Sequence, residues 1–205
     1  MGSRKRVVIC GGGAIGAAIA YFMSRRGARP IVIERHEVAG AASGKSGGFL
    51  ALDWCRGSSL DRLARRSFDL HAQLSTELGD PWGYRRLTTY SGYAAEDNTA
   101  RGPGGRPWLA DGVTITGRLG SAASTAVVEP RAFTKGLMRA AEAHGAVLRH
   151  DTVLDLVRHP NGAVRGVALA GGEIIEGEAV VVAMGPWSIL AARWMPAGGD
   201  WLQGP

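Results

Sequence analysis

The 205-residue sequence predicts an α/β protein that combines a parallel sheet with an antiparallel β-meander. Two observations predict this class. Near the N-terminus, an apolar strand, a glycine-rich turn, a helix and a second strand follow one another directly. In the C-terminal half, the dipeptides Asn161-Gly162 and Gly171-Gly172 separate three short strand patterns, as hairpin turns do. A further apolar strand over 180–184 then predicts a return to the parallel sheet.

The N-terminal elements carry a glycine fingerprint. The apolar strand 7–10 leads straight into residues 11–16, which fit the pattern G-x-G-x-x-G. Apolar residues at helical spacing then predict one buried helix face: Ile15, Ala18, Ile19 and Phe22. Gly27 predicts the end of this helix, and a second strand over 31–33 ends on Glu34. This order of elements predicts a Rossmann-like, dinucleotide-binding unit.

Each position of the fingerprint has a physical reason. Gly11 permits a tight turn out of the strand, and Gly13 lets a pyrophosphate approach the backbone. Gly16 lets the helix pack close to the strand. The first N–H groups of the helix, at Ala14 and Ile15, lack partners within the helix and can donate to phosphate oxygens.

Glu34 stands where an acidic side chain accepts hydrogen bonds from ribose hydroxyls. A carboxylate at this position repels a 2′-phosphate, which argues against NADP. The alternative is an ordinary βαβ unit whose glycine-rich turn binds nothing. The agreement of turn, helix and acid favours a bound dinucleotide.

Composition excludes several other classes of protein. The net charge is +6, but aromatic residues do not alternate with the charges, so we expect a solvated basic surface and no nucleic-acid partner. The two cysteines, Cys10 and Cys55, have no zinc-site spacing, and we expect no metal. No apolar run reaches membrane-spanning length and no secretory signal is evident. The expected location is the cytoplasm or the interior of an organelle.

A second glycine-rich segment covers residues 41–48, with the sequence A-A-S-G-K-S-G-G. Its small residues, two hydroxyls and one lysine can wrap an anion or a flat ring at close range. Gly44-Lys45-Ser46 is similar to the end of a phosphate-binding P-loop, but Ala39 stands where the first glycine is needed. By itself, the segment is typical of a flexible surface loop.

Taken together, the N-terminal fingerprint, Glu34 and the 41–48 segment resemble the FAD-dependent oxidoreductases of the D-amino-acid oxidase and glycine oxidase family. The resemblance implies FAD as the cofactor, because a simple NAD-binding unit does not need the second loop. It also implies that a further set of residues faces the cofactor: Arg35, Ser43, Lys45, Ser46, Gly47 and Gly48.

The resemblance extends to the C-terminal half of the chain. In the family, a strand there leads to a valine whose backbone meets the adenine, which implies a contact from Val153. Gly185 closes the last apolar strand and is expected beside the cofactor. Family members often carry threonine where this chain has Met184, so a hydroxyl role there is lost or moved. Core packing is the alternative for Val153 and Trp187.

The expected domain organisation also follows the family. Residues 1–80 and 127–205 are expected to form a discontinuous FAD-binding domain, and 81–126 the beginning of an antiparallel substrate domain. The family continues well beyond this length, so we expect a truncated portion, with association through uncovered apolar surface. Three side chains within residues 81–126 are either substrate contacts or exposed strand residues: Tyr84, Arg86 and Tyr90.

The resemblance implies an FAD-binding oxidoreductase acting on a small-molecule amine or amino acid. In that chemistry the C–N bond is oxidised by hydride transfer to the flavin. No side chain stands out as a catalytic acid or base. One alternative is a non-catalytic FAD- or nucleotide-binding module. The other is an NAD-dependent dehydrogenase, which the 41–48 segment and the meander disfavour.

Overall fold

The computed structural model describes residues 6–94, 108–110 and 112–195. Within these residues the α-helices are α1 (Ala14–Arg25), α2 (Asp61–Glu77) and α3 (Pro130–Ala143), and 3₁₀ helices cover Ala42–Gly44 and Gly185–Trp194. The strands are β1 (Val7–Cys10), β2 (Ile31–Glu34), β3 (Phe49–Ala51), β4 (Arg85–Arg86), β5 (Thr89–Ala94), β6 (Val113–Gly120), β7 (Thr125–Val127), β8 (Val147–His150), β9 (Val153–Arg158), β10 (Val164–Leu169), β11 (Ile174–Glu176) and β12 (Ala179–Val182).

The chain divides into two compact units. Met1–Gly47 and Pro130–Pro205 contribute to the first, and Gly48–Glu129 forms the second. The sequence-based boundaries, after residues 80 and 126, differ from this division mainly over 48–80. That segment contains α2, which packs against β3 and therefore belongs to the second unit. The assignment of a cofactor domain and a substrate domain stays a prediction.

The first unit is built on a four-stranded parallel sheet with the order β12–β1–β2–β8. The central strands are apolar and rich in valine and isoleucine, as parallel strands covered on both faces are. Val8, Ile9 and Val32 are fully buried. The predicted α/β class with a parallel sheet is confirmed.

Helix α1 buries a different face from the predicted one. Its buried residues are mostly small: Gly16, Ala17, Ala20, Tyr21 and Ser24. Ile15, by contrast, is 68% exposed. The small side chains let α1 pack closely against α3. This packing determines which face of α1 is buried. The predicted face of Ile15, Ala18, Ile19 and Phe22 was therefore wrong.

The predicted β-meander is confirmed as an antiparallel sheet with the order β11–β10–β9. Its turn glycines, Gly162 and Gly172, both have a φ of +83°. The meander and the parallel sheet share one apolar cluster: Val8, Cys10, Ile33, Val167, Leu169, Ile175, Ala191 and Trp194. Full burial of a valine, leucine or isoleucine contributes about 1.5–3 kcal/mol, so this cluster holds the meander to the sheet.

The second unit contains α2 and two small antiparallel sheets, ordered β3–β7–β4 and β5–β6. Residues 84–90 contribute to two different sheets, because β4 pairs with β7 whereas β5 pairs with β6. On α2, Phe68 and Leu74 are buried, while Leu63 is 65% exposed.

Candidate functional site

A cavity of about 770 Å³ lies at the carboxyl edge of the parallel sheet in the first unit. Residues that follow each of the four strands line it: Gly11 after β1, Arg35 after β2, Asp151 after β8 and Ala183 after β12. Open α/β sheets bind ligands at this edge. The volume falls in the range of small-molecule and cofactor sites, about 300–1,000 Å³.

Two glycines of the fingerprint are required for packing within the protein. Gly11 has a φ of +111°, and a Cβ there would overlap the carbonyl oxygen of Ala183. A Cβ on Gly16 would overlap the carbonyl oxygen of Gly11. These glycines let α1, β1 and the end of β12 approach one another, so substitutions at either position act on folding first.

Of the two glycines between them in sequence, Gly13 serves the cavity directly and Gly12 serves it through Glu34. Gly13 lines the cavity, and a Cβ on it would lie 3.1 Å from Ser43 Oγ. The N–H of Gly12 donates a hydrogen bond of 2.7 Å to Glu34 Oε2, and a Cβ there would lie 3.1 Å from the Cβ of Glu34. Gly12 was not predicted as a site residue, although three consecutive glycines were an available signal.

The Glu34 carboxylate is held in place by backbone donors. Gly12 N–H donates to Oε2, and His36 N–H donates to Oε1 at 3.0 Å. An ionised carboxylate oxygen has more than one lone-pair site, so both oxygens can accept a further hydrogen bond. Two acceptor oxygens fixed side by side at the wall of a cavity suit the neighbouring hydroxyls of a ribose.

The N-terminal end of α1 offers donors to the cavity. Ala14 N–H donates to Ser43 Oγ at 2.9 Å. Ala17 N–H then reaches the carbonyl of Gly13 at 2.9 Å, and within the described part of the chain the N–H groups of Ile15 and Gly16 have no backbone acceptor. Together with the positive end of the helix dipole, these N–H groups form a site for an anion.

The loop after β2 is tied to α3. Glu37 accepts from Arg131 at 3.2 Å and from Lys135 at 3.3 Å. The hydrogen bond from Lys135, followed by the charge of Arg131, holds the pKa of Glu37 below its ordinary value. Ala39 has a φ of +62°, and its N–H donates to the carbonyl of Gly12 at 3.1 Å. The contacts of Glu37 hold the loop that carries Ser43 to α3, and the contact of Ala39 holds it to the turn before α1.

A 3₁₀ helix, Gly185–Trp194, forms another wall of the cavity. With three residues per turn, side chains three apart lie in line along such a helix. Trp187, Leu190 and Arg193 have this spacing, and all three line the cavity. The guanidinium carbon of Arg35 lies 4.5 Å from the ring centroid of Trp187.

Cys10 also lines the cavity, at the end of β1. Its side chain is buried, and burial raises the pKa of the thiol to about 12. A thiol is nucleophilic as the thiolate. Cys10 therefore acts as a small apolar side chain in the wall of the cavity and not as a nucleophile.

Most of the predicted site residues lie at this cavity. Those that line it are Gly11, Gly13, Ala14, Ile15, Glu34, Arg35, Ser43, Lys45, Val153 and Gly185. Gly16 is buried within α1, and the exposed residues Ser46 and Gly47 are outside its lining. Gly48 belongs to the second unit. The contact of each of these residues with FAD stays a prediction.

Several residues of the cavity were not predicted from the sequence, among them Asp151, Thr152, Leu154 and Arg193. Asp151 directly follows β8, and its N–H donates to the carbonyl of Glu34 at 3.1 Å. Its position at the carboxyl end of a parallel strand was the available signal. Arg193 reaches the cavity through the 3₁₀ geometry, for which the sequence carried no signal.

Two other kinds of feature are absent from the described residues. No group of three His, Cys, Asp or Glu side chains there is arranged to hold a metal ion. In the same ranges, no helix has the length and apolar character needed to cross a membrane.

Comparison with known families identifies the class of dinucleotide. The sequence model of the FAD dependent oxidoreductases matches residues 6–200. The chain belongs to this family. Both the predicted resemblance and FAD as the cofactor of the family are confirmed, and the family's chemistry is that of an oxidoreductase.

Two yeast proteins named as oxidoreductases are similar in sequence. The Schizosaccharomyces pombe protein C1F5.03c is 36% identical over 146 residues, 65% of this chain and 37% of that protein. The Saccharomyces cerevisiae protein TDA3 is 41% identical over 96 residues, 43% of this chain and 18% of that protein. The matched segments thus span well under half of either relative.

Solved structures of a glycine oxidase and an L-amino acid deaminase share the fold. Glycine oxidase from Bacillus cereus superposes with a TM-score of 0.76 at 25% identity, over 93% of this chain and 59% of that chain. L-amino acid deaminase from Proteus myxofaciens superposes with a TM-score of 0.72 at 22% identity, over 94% of this chain and 48% of that chain. These likenesses agree with the predicted fold class.

The cavity residues fit an FAD. Glu34 supplies acceptors for ribose hydroxyls, the N-terminal end of α1 supplies donors for phosphate, and Gly13 leaves the room that a Cβ would fill. The apolar side chains of Leu154 and Leu190 provide surface for a flat ring.

Proposed function

We propose that this chain binds FAD in the cavity at the carboxyl edge of its parallel sheet, as part of an oxidoreductase that oxidises the C–N bond of a small amine or amino acid. One observation carries the cofactor assignment. The Glu34 carboxylate and the donor end of α1 line the same cavity, with Gly13 between them. Family membership and the likeness to glycine oxidase support the reaction class.

Each part of the cavity has a separate task in this proposal. The N–H groups of Ile15 and Gly16 and the helix dipole bind the pyrophosphate, and the charge of Lys45 adds to the attraction. Glu34 accepts from the ribose hydroxyls and excludes a 2′-phosphate. The remaining predicted contacts are Gly11, Ala14, Arg35, Ser43, Ser46, Gly47, Gly48, Val153 and Gly185.

When bound, the flavin supplies the hydride acceptor for the oxidation. The residues of this chain would bind and orient the cofactor in the cavity. We assign no catalytic acid or base within the described residues. We propose the second unit as the beginning of the substrate domain, where Tyr84, Arg86 and Tyr90 are candidate contacts.

The test is the visible spectrum of the purified chain, followed by identification of the nucleotide released on denaturation. We expect the absorption bands of an oxidised flavin and release of FAD. Addition of glycine or other amino acids without oxygen should then bleach the bands. A folded, colourless chain that binds NAD and not FAD would overturn the proposal.

A non-catalytic FAD-binding module is the second candidate. It is supported by the mouse pyruvate dehydrogenase phosphatase regulatory subunit, which is 35% identical over 91 residues, 43% of this chain and 10% of that protein. Its name describes a regulatory subunit and not an oxidase. Tightly bound FAD that no amine or amino acid bleaches would favour this candidate over the oxidase.

A further inference from the structure

We propose that Arg158 is a positioning residue for the cavity. From outside the cavity, its side chain holds the C-terminal end of the 3₁₀ helix Gly185–Trp194, and this hold determines how tightly the cavity retains FAD. The inference rests on the proposed FAD site. It adds a residue that acts on the ligand through the cavity wall, because Arg158 is not among the described residues that line the cavity.

Arg158 joins the β-meander to the end of the 3₁₀ helix. It is the last residue of β9, and its side chain is half-buried. Nη1 donates a hydrogen bond of 2.9 Å to the carbonyl of Gly162, in the turn between β9 and β10. Nη2 donates to the carbonyl of Trp194 at 3.3 Å and lies 3.6 Å from Sδ of Met195. The guanidinium therefore connects β9 to a residue that is 36 positions away in the sequence.

The guanidinium suits its position at the end of a helix. The last carbonyl groups of a helix have no donors within it, and the helix dipole makes this end negative. Met195 N–H donates to the carbonyl of Ala192 at 3.2 Å, whereas the carbonyl of Trp194 accepts from Arg158. Arginine can serve both this carbonyl and that of Gly162, because its donors form a planar fork. Lysine carries one compact charge and does not reproduce this geometry.

The end of the helix that Arg158 holds also belongs to the wall of the cavity. Leu190, Arg193 and Trp194 line the cavity from this helix. Trp194 is 9% exposed and belongs to the apolar cluster that includes Val167 of the meander. Its indole and its carbonyl are thus both fixed to the meander, the indole by packing and the carbonyl by Arg158.

Loss of Arg158 should loosen this wall of the cavity. A 3₁₀ helix has poorer hydrogen-bond geometry than an α-helix, so its end depends more on contacts from outside. Without Arg158, the carbonyl of Trp194 loses this donor and the last turn opens more often. FAD then binds to a wall that must first be ordered, which lowers its affinity. Since dissociation rates respond more than association rates to such changes, we expect the effect mainly in the release of FAD.

The first test measures amide hydrogen exchange of the full chain without FAD. In Arg158→Ala we expect exchange at least about threefold faster in peptides covering 185–195 and unchanged exchange in peptides covering β1 and β2. The matched control is Arg165→Ala, which removes an exposed arginine of the same meander, on β10. It should leave exchange over 185–195 at the wild-type rate. Thermal unfolding checks that each variant is folded.

The second test measures the affinity for FAD by equilibrium titration and the rate of its release by stopped flow. Arg158→Ala should raise the Kd about tenfold, mostly through faster release, and Arg165→Ala by less than about twofold. Arg158→Lys should recover part of the loss, since it keeps a charged donor for one of the two carbonyls. Millimolar methylguanidinium should restore FAD affinity to Arg158→Ala, because it supplies the missing group, and should not change the affinity of the wild type.

The outcomes separate the role of Arg158 from the FAD site. If the wild-type chain binds FAD and Arg158→Ala keeps the wild-type Kd, the positioning role is wrong and the FAD site stands. Faster exchange throughout the variant would also overturn this role, since it indicates a general loss of stability. If the wild-type chain binds no FAD, the FAD site fails. Faster exchange confined to 185–195 in Arg158→Ala then supports the hold of Arg158 on the helix, and unchanged exchange overturns that as well.

Discussion

The turn between β1 and α1 and the turns of the second unit use glycine for different reasons. Gly11 and Gly16 stand where a Cβ would overlap a carbonyl oxygen. Gly57, Gly79 and Gly83 also have positive φ, but a Cβ on any of them would meet nothing within 4 Å. Glycine content alone therefore does not locate a site. Compared with these three turns, the fingerprint turn has backbone packed so closely that no side chain is tolerated at Gly11 or Gly16.

The largest expected difference between the first strand of the fingerprint and the second unit is in the reactivity of their cysteines, Cys10 and Cys55. With a pKa of about 12, Cys10 is thiolate in about one molecule in ten thousand at pH 8. Cys55 is partly exposed. Treatment of the native chain with iodoacetamide, followed by peptide mass spectrometry, should modify Cys55 and leave Cys10 intact until the protein unfolds. Equal modification of both would contradict the buried position of Cys10.

Alanine at Gly16 should cost far more stability than alanine at Gly79. The new Cβ at position 16 overlaps the backbone of Gly11, and we expect a loss of about 2–4 kcal/mol in the free energy of unfolding. At Gly79 the cost is that of the left-handed backbone, with φ of +72° and open space around it, about 1 kcal/mol. Urea unfolding of both variants measures the difference. Similar losses would show that the fingerprint turn is no tighter than an ordinary one.

His71 should make the stability of the chain depend on pH. Burial lowers the pKa of this side chain below 6.5, so the unfolded chain binds its proton more readily than the folded one. The contribution is fully present above pH 6.5 and is lost as the pH falls from there to the folded pKa, with a slope of at most about 1.4 kcal/mol per pH unit. His71→Gln should flatten this dependence in urea unfolding, and the exposed His159→Gln should not. A slope that survives His71→Gln would refute the assignment.

Breaking the ion pairs of Glu37 should have the smallest effect of these changes, because the pairs are exposed. Glu37→Gln loosens the loop that carries Ser43, and we expect FAD to bind about two- to threefold more weakly at low salt and less so at high salt. The pairs are present above the folded pKa of Glu37 and are lost as the pH falls through it, below 4.5. Glu176→Gln is the matched control, since Glu176 also pairs with two basic side chains but does not line the cavity. An equal effect of both variants would contradict a positioning role for Glu37.

Local signals and contacts between distant segments differ in how well the sequence predicts the structure that depends on them. The order β1–α1–β2 and the position of Glu34 depend on local signals: an apolar run, a tight turn and a helix stop. The buried face of α1 depends on its packing against α3, which is distant in sequence, and periodicity chose the wrong face. The meander was predictable because its turns are short and rich in glycine.

Within the cavity, prediction was also limited by contacts between segments that are distant in sequence. Ser43 and Lys45 were expected from the resemblance, but the hydrogen bond from Ala14 N–H to Ser43 Oγ requires a loop fixed by contacts to α3. Arg193 reaches the cavity through a 3₁₀ helix with no distinctive sequence pattern. Local sequence patterns do not indicate which distant loops meet, so cavity residues supplied by such loops could not be predicted.

In the proposed complex, the pyrophosphate of FAD lies over Gly13. The most direct test is a fluorescence titration of FAD with the wild-type chain, Gly13→Val and Gly117→Val. Valine at position 13 fills space beside Ser43 Oγ, whereas a Cβ at Gly117 lies 3.2 Å from Ser91 Oγ, outside the cavity. We expect saturable binding by the wild type and Gly117→Val, and affinity at least about 100-fold weaker for a folded Gly13→Val chain. Unchanged FAD affinity in Gly13→Val would contradict this position of the pyrophosphate.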